Sequence, residues 1–264
     1  MSNKPGRKNP LAAAERADRN RKIAIQVGVA AVLVALVAAI GVGIAMRGSD
    51  DEDLGAIPSV IAGNPTATSP GAAPVEAQDP VASTGAIRVG NPDAKVTVRV
   101  VADIQCPICK LFEEANGQVL ADGVANGTIN VEYNIASFLD QMSTTDFSSR
   151  SANAAYCVTD TGVDKFQAWL QAMFAQQPPE GGAGLPDEKL IEIAQSVGYT
   201  DPSIAQCVTD RKYDKFVQAK SKKLLDEGIE GTPTIFVNGE QVQTREALFT
   251  PAGLAPVIAE AAGQ

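Results

Sequence analysis

Asp103-Ile104-Gln105-Cys106-Pro107-Ile108-Cys109 decides how this 264-residue chain is read. Ahead of the two cysteines runs Val96-Thr97-Val98-Arg99-Val100-Val101-Ala102, rich in β-branched residues and bounded upstream by Asn91-Pro92-Asp93. Such a run between turn residues predicts a strand. Behind them Leu111, Phe112, Ala115 and Val119 recur at helical spacing, with Lys110, Glu113, Glu114 and Gln118 between. A C-x-x-C at a strand-to-helix junction sets its first sulfur against the helix's unpaired N–H groups and dipole, which favour the reactive thiolate. Pro107 suits the first helical position, where its missing N–H costs nothing. Cys109, about one turn on, is placed to close onto Cys106 as a disulfide. Two bland readings compete with a redox pair. A stapling bridge closing so short a loop would restrain the unfolded chain little. Half a zinc site needs two further ligands in a chain without histidine.

The absence of histidine also excludes Ser-His and Cys-His nucleophiles and every His-ligated metal site, so no metal or cofactor is expected. The net charge of −9 hides an asymmetry. Residues 1–22 hold seven basic side chains against Glu15 and Asp18, leaving fifteen basic and twenty-nine acidic residues in the rest. An acidic globular part is repelled by phosphate backbones, which argues against a nucleic-acid partner.

From Ile23 to Met46 the chain is apolar apart from Gln26 and small glycines. As a helix this run is about 36 Å long, enough to span a hydrocarbon core of about 30 Å. Basic residues precede it and Asp50, Asp51, Glu52 and Asp53 follow, so residues 1–22 are expected in the cytoplasm and everything after Arg47 outside. A cleaved signal peptide is the competing reading, although the run exceeds the usual h-region. Residues 47–85 carry Pro58, Pro65, Pro70, Pro74 and Pro80 among Ala, Ser, Thr and Gly without apolar periodicity, as a flexible tether would, or a spacer of no required length. The globular domain is expected over 86–264.

Within it, Thr128–Ile135 reads as a second strand, making a strand–helix–strand crossover. Residues of about 144–228 read as helical. Ala152, Ala155, Tyr156 and Val158 mark one helix; Phe166, Leu170, Met173 and Phe174 a second; Leu190, Ile191, Ala194 and Val197 a third. Asp201-Pro202 starts another stretch that runs to Gly228. Its basic residues Arg211, Lys212, Lys215, Lys220, Lys222 and Lys223 read as a solvated helix face, and Trp169 with Phe166 and Phe174 as core. Thr234–Val237, Asn238-Gly239 and Glu240–Val242 predict a hairpin. Thr250-Pro251 introduces a last helix through Leu254, Val257, Ile258 and Ala261.

This order resembles an α/β thioredoxin fold, a mixed sheet flanked by helices, with an inserted helical subdomain and one preceding transmembrane helix. More closely it resembles DsbA-type thiol–disulfide oxidoreductases, in particular the membrane-anchored DsbA-like proteins of actinobacteria. The matching stretches are Asn91-Pro92-Asp93-Ala94, Asp103 to Cys109, Ser137-Phe138-Leu139-Asp140, Gln177-Pro178-Pro179-Glu180 and Gly231-Thr232-Pro233-Thr234. The resemblance implies that Cys106 is the exposed, attacked sulfur and Cys109 its buried partner. It implies a cis bond at Thr232-Pro233, facing the cysteines and binding substrate backbone; without it an ordinary trans proline opening a strand would be the simpler reading. Asp103 is either an acid exchanging protons with Cys109 or a strand-end residue. Cys157 and Cys207 are expected as a structural disulfide in an oxidising compartment, a comparable second bridge being present in related actinobacterial proteins. A second shuttling pair is the alternative. Ile108 stands where many DsbA proteins carry histidine, which predicts a less extreme thiolate and a weaker oxidant.

The implied activity is extracytoplasmic insertion of disulfides into reduced secreted proteins, with reoxidation by a membrane partner of the VKOR or DsbB type. A reductase or isomerase fed by a membrane electron donor, and a non-catalytic peptide-binding module, are the alternatives.

Overall fold

The computed structural model describes residues 55–58 and 85–263. The expected basic N-terminus (1–22), the spanning run (23–46) and most of the tether (47–85) lie outside the described residues. No helix among the described residues is long and apolar enough to cross a membrane.

The elements in chain order are β1 (Ile87–Gly90), β2 (Val96–Ala102), α1 (Pro107–Ala125) and β3 (Ile129–Ile135), then a helical block. The block comprises α2 (Phe147–Thr159), α3 (Phe166–Ala175), α4 (Asp187–Ser196), α5 (Ser203–Thr209) and α6 (Asp214–Asp226). The chain closes with β4 (Thr234–Val237), β5 (Glu240–Gln241), α7 (Arg245–Phe249) and α8 (Ala255–Gly263). Among the described residues the strands form one mixed sheet in the order β1-β3-β2-β4-β5. β2 and β3 run parallel, as a crossover through α1 requires, and the other pairings are antiparallel.

All seven residues of β3 are buried, so both its faces are covered. One face, with Ile129, Val131, Tyr133 and Ile135, receives α1, and Gly123 lets that helix approach: a Cβ there would lie 2.8 Å from Ile129 Cδ1. Buried Asn116 fastens α1 to the C-terminal elements. Its amide donates to the Ala247 and Leu248 carbonyls at 3.2 and 2.9 Å, and its Oδ1 accepts from the Leu254 amide at 2.8 Å. The opposite face is polar, since the register sets Thr97 beside Asn130, Arg99 beside Glu132 and Val101 beside Asn134. Leu224 of α6 packs over this face with Val101, Ala136 and Ile229.

Several expectations change. β1 is an added strand, too short to show alternation by itself and formed by antiparallel pairing along the edge of β3. The stretch after Asp201-Pro202 is two helices, α5 and α6, parted where Arg211 turns into the left-handed region at φ 51°. The short α7 precedes the final helix, and Pro256 sits in the first turn of α8, where proline is tolerated. Gly55–Pro58 falls within the expected tether, yet Pro58 is buried and a Cβ on Gly55, at φ 62°, would lie 3.2 Å from the Lys215 stem on α6. The basic run is not one solvated face: Lys220 is 4% exposed, Lys212 pairs with Asp160 at 3.0 Å, and Arg211 pairs with Asp214 at 2.5 Å. Trp169, Phe166 and Phe174 are core.

Candidate active site

Cys106 ends the β2 turn in extended conformation (φ −73°, ψ 119°) and caps α1, with Pro107 at its first position and no side-chain oxygen capping the helix. The open N–H groups of that first turn therefore face a sulfur. The Cys106 thiol is lowered from 9.0 to about 6. Hydrogen bonding from the Cys109 thiol contributes most, burial opposes it, and the Cys109 N–H, Thr232 and the Ile108 N–H add to the lowering. Cys109, 1% exposed, is pushed well above its ordinary value, by burial first and then by the neighbouring Cys106. The two thiols are thus driven in opposite directions. Cys106 is not the exposed sulfur expected, since at 6% exposure it is buried like its partner, but it ionises easily while Cys109 holds its proton.

Thr232-Pro233 is a cis peptide, and the Cys106 thiol donates to the Thr232 carbonyl at 3.4 Å. Asp103 is fully buried below the turn, where burial lifts its carboxyl to about 7. Its Oδ1 accepts from the Gln105 amide at 2.9 Å and the Ser148 hydroxyl at 2.8 Å, and its Oδ2 from the Leu139 amide at 3.0 Å. Those bonds favour the carboxylate but do not offset its desolvation, and the charge on Cys106 raises it further. Asp103, directly after β2, is thus a buried titrating group that feels the charge on Cys106.

The structure also brings in residues whose role the sequence did not reveal, one beside the helical block and one on α1. Gln177, after α3, donates to the Ile104 and Cys106 carbonyls at 2.7 and 3.0 Å, holding the cysteine turn from outside. Its only signal was the Gln177-Pro178-Pro179-Glu180 stretch, which carried a resemblance but no role. Glu113, one turn beyond Cys109, is buried and raised by desolvation to about 7. Gly117 leaves room for it, since a Cβ there would lie 2.4 Å from Glu113 Oε1. In the sequence Glu113 looked like any polar residue of an amphipathic helix. Cys157 and Cys207 join α2 to α5 in a disulfide, with S–S 2.02 Å and Cα–Cα 5.7 Å.

Around Cys106 opens a groove of about 900 Å³, lined by Ser137–Asp140, by Gln218, Ser221, Lys222 and Leu225 of α6, and by Glu230–Thr232. Ile108, Leu111, Met142 and Leu225 are each about half exposed, at 46%, 49%, 47% and 53%. Ile57 is the other large apolar side chain this exposed among the described residues. Exposed apolar surface therefore gathers around the cysteine turn.

The family described as Thioredoxin matches residues 82–251. The chain belongs to the thioredoxin family. Within that family it is a DsbA-like thiol–disulfide oxidoreductase, judged by solved structures of the same arrangement. The reduced disulfide bond oxidoreductase DsbG of Mycobacterium tuberculosis is 30% identical with a TM-score of 0.60, covering 68% of this chain and 88% of that one. Oxidised DsbA of Mycobacterium tuberculosis is 30% identical with a TM-score of 0.59, covering 68% and 93%. The serine/threonine-protein kinase PknE of Mycobacterium tuberculosis is 29% identical over 157 residues. That match takes in 56% of this thioredoxin-family chain, which spans only 28% of the kinase's length.

Proposed function

We propose that the chain is an extracytoplasmic, membrane-anchored thiol oxidase that inserts disulfides into reduced secreted proteins. The observation that carries this reading is the opposite displacement of the two thiols, Cys106 down to about 6 and Cys109 well up. Stabilising the Cys106 thiolate stabilises the reduced pair and makes the oxidised pair the better electron acceptor. In the oxidised protein a client thiolate attacks Cys106 Sγ. The Cys106–Cys109 bond breaks, and the electron pair leaves on Cys109, which takes up a proton. A second client thiolate then attacks the client sulfur of the mixed disulfide and releases Cys106 as a thiolate. The client loses two electrons and two thiol protons; Cys109 keeps one proton, the other passes to solvent, and the reduced pair is left as thiol and thiolate. Thr232 and Pro233 flank the reacting sulfur as a backbone ledge for an extended client segment. Asp103, titrating near 7, is the group suited to take up or return a proton beneath the pair.

Turnover requires a reoxidant, which we assign to a quinone-linked membrane partner of the VKOR or DsbB type. The run 23–46 would hold the domain on the outer side of the membrane, with residues 1–22 inside. Reoxidation of reduced, denatured ribonuclease, measured beside insulin reduction and the reduction potential of the pair, tests the direction of flow. A potential above about −200 mV, less oxidising than the roughly −120 mV of DsbA because the Cys106 thiolate is less extreme, is expected to accompany disulfide insertion. One near about −270 mV with rapid insulin reduction would turn the reading to a reductase or isomerase. Cys106→Ser should abolish turnover; a variant that still acted on the client would leave a peptide-binding module.

A further inference from the structure

The buried amine of Lys220 has no part in thiol exchange, yet it occupies a node of the fold. Its Nζ donates to the Gly85 carbonyl at 3.0 Å and to the Tyr156 hydroxyl at 2.7 Å, and lies 5.4 Å from the Tyr156 ring centroid. The Tyr156 hydroxyl in turn donates to the same Gly85 carbonyl at 3.2 Å. Gly85 takes this place because it carries no Cβ, which would lie 2.7 Å from Phe216 Cζ, and because its φ is 71°. Desolvation holds the amine well below its ordinary value, consistent with its enclosure. Three segments therefore meet at Lys220: the entry to the domain, α2 through Tyr156, and α6.

The two helices that meet there also reach the thiol groove. α2 grips the cysteine turn at its other end, where Ser148 donates to Asp103 at 2.8 Å and the Ser149 amide donates to Asp140 at 2.7 Å. α6 supplies part of the groove's lining through Gln218, Ser221, Lys222 and Leu225. Ser221, next to Lys220, bonds the Ser137 amide and hydroxyl at 2.9 Å each. Beneath α6 the sheet face is polar, and Arg99 Nε, Asn130 Oδ1, Glu132 Oε2 and Asn134 Oδ1 are buried there without a hydrogen-bond partner. Apolar packing on α6 comes from Leu224 with Val101, Ala136 and Ile229, flanked by Phe138 and Phe236, and from Val217 and Phe216, the latter edge-on to Tyr156 with ring centroids 5.1 Å apart. That packing holds α6 against its neighbours without direction, and the Lys220 bonds add a directed constraint one residue before Ser221, fixing how the helix presents Ser221, Lys222 and Leu225 to the groove.

We infer that Lys220 is a positioning residue for client binding: by bolting α6 to α2 and Gly85 it sets the width of the groove beside Cys106. This rests on the proposed reading of the groove as the client site. Lys220→Met keeps the buried stem and removes the donor, leaving the Tyr156–Gly85 bond in place. The experiment uses the full chain in detergent, oxidised, with a reduced two-cysteine peptide as client and glutathione disulfide as terminal oxidant. Losing a bond of this kind predicts a KM about threefold to tenfold higher in Lys220→Met, with kcat and the Cys106 thiolate titration unchanged. Calorimetry with the same peptide carrying serine for cysteine should show the same loss of affinity. Tyr156→Phe, which removes the hydroxyl that Lys220 donates to, should shift KM in the same direction. The double variant should fall well short of the product of the two singles, because both act on one node. If Lys220→Met does not fold, Tyr156→Phe with the serine peptide carries the test alone. Unchanged KM and peptide affinity in a folded variant would overturn the inference. So would a parallel shift of the Cys106 titration, which would mean general loosening. Absence of turnover in the unmodified chain would instead count against the oxidase reading, and the calorimetric comparison would still decide the role of Lys220.

Discussion

At the scale of the residue, the site depends on how unequally two chemically identical thiols are treated. Cys106 accepts a hydrogen bond from the Cys109 thiol and further ones from the open N–H groups of the helix end, whereas Cys109, one turn into the core, is chiefly desolvated, and that difference separates their acidities. With isoleucine at 108, the helix end and the neighbouring groups act without help from an imidazolium. The value of about 6 accordingly lies between an unperturbed thiol and the roughly 3.5 quoted for a DsbA with a stronger thiolate. Ile108→His should lower the Cys106 value further and make the pair more oxidising; thiolate absorbance and the reduction potential would register both, and an unchanged titration would contradict the account. Asp103 carries a stability cost. Its carboxyl ionises near 3.9 when unfolded and near 7 when folded, so unfolding releases a proton between those values. Stability is thus full below the unfolded value, falls as pH rises through the interval, and the loss is complete above about 7. Asp103→Asn removes this penalty and should be more stabilising at pH 8 than at pH 4 by on the order of 2–4 kcal/mol, measured by urea denaturation. Glu113, raised to about 7 for the same reason, leaves a similar slope in that variant.

At the scale of the element, the helical block acts as a frame around the cysteine turn. α2 holds Asp103 through Ser148, the segment after α3 holds Cys106 through Gln177, and α6 lines the groove beside them. The disulfide between α2 and α5 spans 50 residues of sequence. Replacing both Cys157 and Cys207 by serine should cost about 4 kcal/mol of stability by chain-entropy reasoning, while the Cys106 titration stays where it is. A thiolate shifted by that double change would tie the bridge to the chemistry. The β4–β5 hairpin, which follows the Thr232-Pro233 ledge directly, turns on Asn238 and Gly239 at φ 48° and 86°. Gly239→Ala places a Cβ in the left-handed region and should cost about 1 kcal/mol, read as a lowered denaturation midpoint. This hairpin was legible because Asn-Gly directly after the apolar run Thr234–Val237 has one dominant solution. β1 and α7 were not, because four or five residues carry too little periodicity and their conformation is set by the neighbours they pair with.

At the scale of the whole molecule, the proposed topology makes a prediction independent of the thiols. Deleting residues 1–46 should leave a soluble protein with the same reduction potential and the same activity on ribonuclease in vitro. In cells the deletion should move the protein out of the membrane fraction. A reporter fused before residue 1 should be active only in the cytoplasm, and an extracytoplasmic signal would invert the proposed orientation. The chemistry and the fold class were carried by the sequence alone. The strand, the C-x-x-C and the helix that follows are local, and their periodicity and capping logic need no distant partner to be read. Tertiary structure decided what local pattern cannot encode. Burial turned Asp103 and Glu113 into groups titrating near 7, and took Lys220 out of an apparently solvated basic face. It also brought Gln177 and Thr232 to Cys106 across 71 and 126 residues of chain. Each of these depends on desolvation or on contact between distant segments, and both are properties of the packed molecule.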